Sequence, residues 1–223
     1  MLFRSSLDRG AGPRGTPTVD GDTIYSLSVD GTLVSLAAAT GKRNWEQNIL
    51  REYKGSQIHW GLSESPLVDG QRLIVTPGGE DRSIVALDKK TGKPLWSAGD
   101  DQAAYSSAIA FDFGGQRHLV VFTATEAMGL NAANGYVMWK YAKVANRVAN
   151  IATPIYHDGH VFLSSDYGTG CALLKLTASG DRVSATEVYF NKDMRNHYCS
   201  SVLHDKHVYG FSSGILTAME LMT

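Results

Sequence analysis

Two stretches, His157-Asp158-Gly159-His160 and His204-Asp205-Lys206-His207, each set a pair of imidazoles three residues apart beside a carboxylate. That is a donor set a divalent cation could use. Zinc, however, needs about four converging ligands, and the two pairs fall at the same turn of separate copies of a repeat, so they predict solvated turn residues and no metal centre. His118 is expected at the matching turn of a third copy, without a partner. Cys171 and Cys199 are the two cysteines and show no C-x-x-C spacing. Cys171 follows Tyr167-Gly168-Thr169-Gly170 and reads as a buried structural thiol, with a disulfide to Cys199 left open. Pro77-Gly78-Gly79-Glu80 precedes no helix and so lacks the positive end that phosphate cradles use. Neither Ser106-Ser107 nor Ser212-Ser213 has an attendant base that the sequence identifies, so no residue is assigned a catalytic role. Polar and aromatic side chains between the apolar runs hold more promise: Arg14, His59, Trp60, Glu64, Tyr105, Asn146, Arg147, Asn150, His197 and Tyr198. Brought to one place, they would suit a small polar ligand or a peptide segment.

What would bring them together is repetition. The stretch Ser83 to Trp96, SIVALDKKTGKPLW, recurs as LVSLAAATGKRNW from Leu33, as AMGLNAANGYVMW from Ala127, and in worn form as CALLKLTASGDRV from Cys171. Each copy is an apolar strand, a turn and a second strand. A different hairpin precedes each one, beginning at Thr16, Ser65, Ser106, Thr153 and Ser200. Anchored on residues 17, 66, 107, 154 and 201, the copies step by 49, 41, 47 and 47 residues. A unit of four short strands every 40 to 50 residues or so is the blade of a β-propeller.

Local chemistry agrees with that architecture. Asp30-Gly31, Asp69-Gly70 and Asp158-Gly159 tolerate the positive φ that tight hairpins require. The runs are rich in Val, Ile, Leu, Tyr and Phe and carry no sustained 3.6-residue period, so helix should be nearly absent. The expected fold is all-β: one propeller over residues 1–223, with repeats at about 16–49, 65–98, 106–141, 153–190 and 200–223. The segments between repeats depart most from the pattern and contain all ten candidates named above. In a propeller such linkers converge at one end of the central channel.

Hydrophobic residues make up 43% of the chain, charged residues 19%, and the formal net charge is −1. Nothing there favours nucleic acid, and no run approaches the roughly 18 apolar residues of a spanning helix. The first residues, MLFRSSLDRG, contain no apolar core of an export signal.

The pattern Ala86-Leu87-Asp88-Lys89-Lys90-Thr91-Gly92-Lys93-Pro94-Leu95-Trp96 resembles the tryptophan-docking motif of pyrroloquinoline-quinone-type propeller repeats. The copy ending at Trp45 keeps Thr40-Gly41-Lys42 but has Ala38 where Asp is usual. The copy ending at Trp139 keeps Gly135 with Asn134 for Thr. The resemblance covers essentially the whole chain and implies that Trp45, Trp96 and Trp139 are structural, each packing onto the next blade. It admits two functions. One is a quinone-dependent dehydrogenase of alcohols or sugars, with pyrroloquinoline quinone and Ca²⁺ on the axis; such enzymes stack an adjacent Cys-Cys disulfide on the cofactor, and this chain has no adjacent cysteines. The other, which the residues favour, is a propeller without cofactor that resembles the bacterial outer-membrane assembly lipoproteins and serves as a binding or assembly scaffold for a protein partner or a small polar ligand. The family setting is periplasmic or otherwise extracytoplasmic.

The ends extend the repeat. Leu2-Phe3-Arg4-Ser5 aligns with Leu95-Trp96-Ser97, which puts Phe3 in the Trp position of an outer strand. LTAMELMT from Leu216 aligns with IVALDKKT from Ile84. The expectation is a partial propeller of four full blades and three strands of a fifth; pairing of Leu2 to Arg4 with the last strand, which would close a five-bladed ring, is the alternative.

Overall fold

A computed structural model describes residues 14–223, so the expectations placed on Leu2 to Arg4 and Phe3 lie outside the described residues. The described chain forms nineteen strands and one short helix, grouped in two compact units that divide between Ala104 and Tyr105.

The first unit holds two four-stranded antiparallel sheets with strands in sequence order. One comprises β1 (Thr18–Asp20), β2 (Thr23–Leu27), β3 (Thr32–Ala37) and β4 (Arg43–Asn48). After a single helical turn, α1 (Ile49–Glu52), which Asn48 caps by accepting the Arg51 amide at 2.9 Å, the second sheet follows as β5 (Leu67–Asp69), β6 (Arg72–Val75), β7 (Ile84–Asp88) and β8 (Pro94–Ala98). The middle strands of each sheet are apolar on both faces, and Tyr25, Leu27, Leu33, Leu73, Val75, Val85 and Leu87 form one core with α1. A sheet buried on both sides needs a neighbour on each, and here the two sheets cover one another's inner strands.

The second unit repeats the plan. Its sheets are β9 (Ile109–Phe113), β10 (Gln116–Phe122), β11 (Ala127–Asn131) and β12 (Val137–Tyr141), then β13 (Ile155–His157), β14 (His160–Ser165), β15 (Gly170–Ser179) and β16 (Arg182–Asn191). A three-stranded sheet of β17 (Val202–His204), β18 (His207–Ser212) and β19 (Ile215–Glu220) completes the described chain. One core joins Val120, Phe122, Trp139, Val161, Leu163 and Leu174; another joins Phe162, Leu173, Met194, Val208 and Leu221.

The repeat is visible in single hydrogen bonds. In all five sheets the residue just after the third strand, or its equivalent, donates its amide back to the first hairpin: Ala38 to Asp22, Lys89 to Gln71, Ala132 to Arg117, Leu176 to Gly159 and Leu221 to Lys206, each at 2.8 to 3.0 Å. Trp45, Trp96 and Trp139 occupy one position, opposite Ser35, Ala86 and Gly129, and in each sheet the register shifts immediately afterwards. Such a bulge twists the strand and re-aims the side chain before it. The worn copy has the same bulge, and Tyr189 stands opposite Leu173 in the Trp position.

Where these rings go follows from their surroundings. Trp45 donates Nε1 to the Lys89 carbonyl of the following sheet at 3.1 Å, and its ring lies on Gly92, where a Cβ would come within 3.0 Å of the indole. Tyr189 reproduces the bond, donating its hydroxyl at 2.9 Å to Leu221, the residue equivalent to Lys89. Trp139 is buried over Gly129 of its own sheet, where any side chain would collide with the indole.

Two local expectations need correction. The Gly41 amide bonds to the Ala37 carbonyl at 2.8 Å, as Gly92 does to Asp88, so Ala37 and not Ala38 stands where Asp is usual. His118 is not in a turn. It lies on β10, 1% exposed, stacked on Phe111 and donating Nε2 to the Phe113 carbonyl at 3.0 Å, and burial pushes its pKa down toward the neutral ring.

Candidate functional site

The turns carrying the paired histidines are alike down to the proton. Asp158 and Gly159 both have positive φ, as do Asp205 and Lys206, which is the backbone of a tight two-residue hairpin. His160 and His207 each place Nδ1 at 2.8 Å from the carbonyl of the Asp two residues earlier. A carbonyl only accepts, so Nδ1 carries the hydrogen in both. Among the described residues no three His, Cys, Asp or Glu side chains converge as a metal site would require.

Propeller enzymes that use pyrroloquinoline quinone with Ca²⁺ stack a vicinal disulfide on the cofactor, and the described residues hold no adjacent cysteines to form one. Cys171 and Cys199 are separate free thiols. Burial pushes the Cys171 thiol up to about 11, and it donates to Asn191 Oδ1 at 3.0 Å, so it stays protonated and inert at neutral pH.

The linker candidates divide by what their side chains touch. In the first unit, Arg14 donates to the carbonyl of Trp60, and the His59 and Trp60 rings meet edge to face at 4.7 Å. Glu64 is buried instead. It accepts the Thr76 amide at 2.6 Å, and loss of solvation raises its pKa from 4.5 to about 7.

In the second unit, Asn146 and Asn150 are also buried. Asn146 Oδ1 accepts the amides of Val148 and Ala149 at 2.8 and 2.7 Å, and its Nδ2 donates to the Ala149 carbonyl. Asn150 accepts the Asn146 amide and donates to the carbonyls of Thr123, Ala124 and Asn146. Both therefore spend their side chains fastening their own linker, the task that irregular buried backbone demands. Tyr105 is tied to the same loop, its amide donating to the Asn150 carbonyl at 3.0 Å, while Arg147 is exposed.

His197 and Tyr198 differ from all of these. They border an open hollow of about 480 Å³, with Asp166 from the end of β14 and Phe211, Ser213 and Gly214 from β18 and the turn that follows. Cys199 forms part of its rim. Tyr198 is 79% exposed and Phe211 51%. The His197 ring packs on Tyr198 at 3.8 Å and edge-on to Tyr167 at 4.9 Å, with Nε2 at 2.9 Å from the Tyr167 hydroxyl.

This cluster stands on a fixed base. Ser164 donates to the Met194 carbonyl and accepts the Asn196 amide at 3.1 and 3.0 Å; Ser212 donates to Asp193 and accepts from Arg195, both at 3.1 Å. The linker is thus clamped through 193–196 and released at 197–199. Sequence reasoning missed Asp166, Tyr167, Phe211, Ser213 and Gly214 as site residues. All but Tyr167 sit in or beside strands that recur. The Tyr167-Gly168-Thr169-Gly170 run was the one visible signal, since a non-glycine residue at φ 57 there is an uncommon backbone state.

With the geometry in view, comparison with known proteins decides the family. A family model described as "Outer membrane protein assembly factor BamB" matches residues 2–223. The chain belongs to this family. It is 28% identical over 137 residues to the outer membrane protein assembly factor BamB of Xanthomonas campestris pv. campestris, a match covering 59% of this chain and 31% of that protein. In structure it superposes on BamB from Moraxella catarrhalis with a TM-score of 0.69 and 17% identity, over 95% of this chain and 62% of the other. The quinohemoprotein alcohol dehydrogenase of Comamonas testosteroni gives 0.64 at 12% identity, over 99% of this chain and 42% of the enzyme. The chain therefore matches less than a third of its curated BamB relative's length. The likeness identifies the fold as a β-propeller of four-stranded antiparallel blades, as the repeat predicts.

Proposed function

We propose that this BamB-family propeller is a non-catalytic binding scaffold for outer-membrane protein assembly, working outside the cytoplasm, and that the linker carrying His197 and Tyr198 meets its protein partner. The family match over residues 2–223 carries the assembly role. What favours this linker is the exposure of Tyr198 on a clamped base, because rigid aromatic side chains at the mouth of a fixed scaffold are the usual anchors of protein recognition. In this reading the indoles of Trp45, Trp96 and Trp139 serve the scaffold alone, and residues 1–223 act as one propeller body. The remaining candidates, Arg14, His59, Trp60, Glu64, Tyr105, Asn146, Arg147 and Asn150, shape the neighbouring linkers.

The test is site-specific photocrosslinking in a bacterial envelope, with a photoreactive amino acid in place of Tyr198 or, as a control, of Lys90 in an exposed turn. A discrete adduct with another outer-membrane assembly protein at position 198, and none at 90, is expected. Equal adducts at both positions, or none, would contradict it. Titration with pyrroloquinoline quinone and Ca²⁺ followed by dye-linked alcohol oxidation tests the dehydrogenase alternative, and turnover there would replace the scaffold reading.

A further inference from the structure

Between β14 and β15 the chain reverses through Asp166-Tyr167-Gly168-Thr169, closed by the Thr169 amide on the Asp166 carbonyl at 3.2 Å. Its two central residues hold φ 57 and 81, as a tight hairpin turn requires. Asparagine, aspartate and glycine enter that state readily, and an aromatic residue does not. Seven non-glycine residues among those described have positive φ; six are Asp, Lys or Ser, and Tyr167 alone carries a ring.

The backbone on either side leaves it no other conformation. Ser164 and Ser165 are buried and donate to the Met194 and Val144 carbonyls at 3.1 and 2.6 Å, and a Cβ on Gly170 would come within 2.0 Å of the Asn191 carbonyl oxygen. Four residues must therefore turn between two fixed strand ends. Asparagine would suit the fold better there, and strain of this kind persists where the side chain is needed for something else.

What the turn gains is the place of its ring. The fourth sheet has a neighbour on each face, one core joining Val161 and Leu174 to Val120 and the other joining Phe162 and Leu173 to Val208. Tyr167 nonetheless stays 45% exposed, edge-on to His197 at 4.9 Å, and His197 packs on Tyr198 at 3.8 Å. Three rings from two separate elements thus meet on a clamped base. The Tyr167 hydroxyl is engaged by His197 Nε2 at 2.9 Å, so the ring is what it has left to offer. Resting on the binding role proposed above, we infer that Tyr167 is a second anchor for the protein partner, held in a strained turn so that its ring, with that of Tyr198, receives apolar side chains of that partner.

The test joins crosslinking to stability. A photoreactive aromatic amino acid at position 167 is expected to give the same partner adduct as at position 198, with none at position 90. Tyr167→Asn in the whole chain should weaken the complex with that partner about tenfold, while its urea midpoint holds at the wild-type value or rises by up to about 0.5 M, because asparagine relieves the turn. Tyr167→Phe keeps the ring and should bind within about threefold of wild type. A lower urea midpoint in Tyr167→Asn would make Tyr167 a residue of the fold, and unchanged affinity would remove it from the interface; either result overturns the inference. A loss in Tyr167→Phe equal to that in Tyr167→Asn would overturn the role of the ring. If position 198 crosslinks and position 167 does not, the second anchor falls alone. If neither crosslinks, the binding role falls with it.

Discussion

Two linkers of the second unit occupy the same place in the repeat and do opposite things. The one ahead of Thr153 turns inward: Asn146 and Asn150 are 8% and 1% exposed and satisfy seven backbone groups between them, Asn146 N, Val148 N, Ala149 N, Ala149 O, Thr123 O, Ala124 O and Asn146 O. The one ahead of Ser200 assigns that fastening to Asn196, Ser164 and Ser212 and leaves His197 and Tyr198 at the surface. A segment that departs from a repeat is therefore not functional on that ground alone. What separates the two is whether the departing side chains are consumed by the backbone around them.

The widest gap between the linkers should show in stability. Asn150→Ala leaves several buried carbonyls and one amide without partners and is expected to cost about 3 kcal/mol, read as a lower urea midpoint. Tyr198→Ala should stay within about 0.5 kcal/mol of wild type. Similar losses in the two variants would erase the distinction.

Glu64 extends the comparison to the first unit, because it too is consumed inward. An acid whose folded pKa lies above its unfolded value holds an extra proton in the native state across that interval. With the value moved from 4.5 to about 7 by burial, its share of stability is full below about pH 4.5, declines as pH rises toward 7, and is level beyond. The swing amounts to about 2 to 3 kcal/mol. Glu64→Gln keeps an acceptor for the Thr76 amide and removes the charge, so the difference in stability between pH 5 and pH 8 should shrink by that amount. An unchanged pH profile would place Glu64 in contact with water.

A smaller effect tests the base of the exposed linker. Tyr189→Phe removes the bond to the Leu221 carbonyl while keeping the ring, and should cost about 1 kcal/mol. No change in the urea midpoint would mean that Tyr189 does not replace the missing tryptophan.

Much of the architecture was legible because it is periodic. The anchors at residues 17, 66, 107, 154 and 201, stepping by 41 to 49 residues, each fall just ahead of the first strand of a sheet. Tyr189 escaped notice because β15 and β16 are each ten residues long, which puts it nine residues after Gly180, where the other copies carry Trp four residues after their glycine. His118 was misplaced because the Gly114-Gly115 turn and a longer β10 carry it into the strand, and Ala37 because three successive alanines look alike unless counted back from Thr40-Gly41.

The site was half legible. His197 and Tyr198 broke the repeat and stood out. Asp166, Phe211 and Ser213 lie at strand ends that look like scaffold, and which of them face a common opening depends on the length of turns that residue type does not encode. Composition also could not separate Asn150 from His197, since both are polar linker residues and only the reach of each side chain to nearby carbonyls distinguishes them.

The most direct test is the affinity of the partner trapped at position 198 for the wild-type chain and for a Tyr198→Ala variant, measured beside their urea midpoints. The account predicts at least about a tenfold weaker complex with little change in stability. Unchanged affinity in a variant that still folds would contradict it.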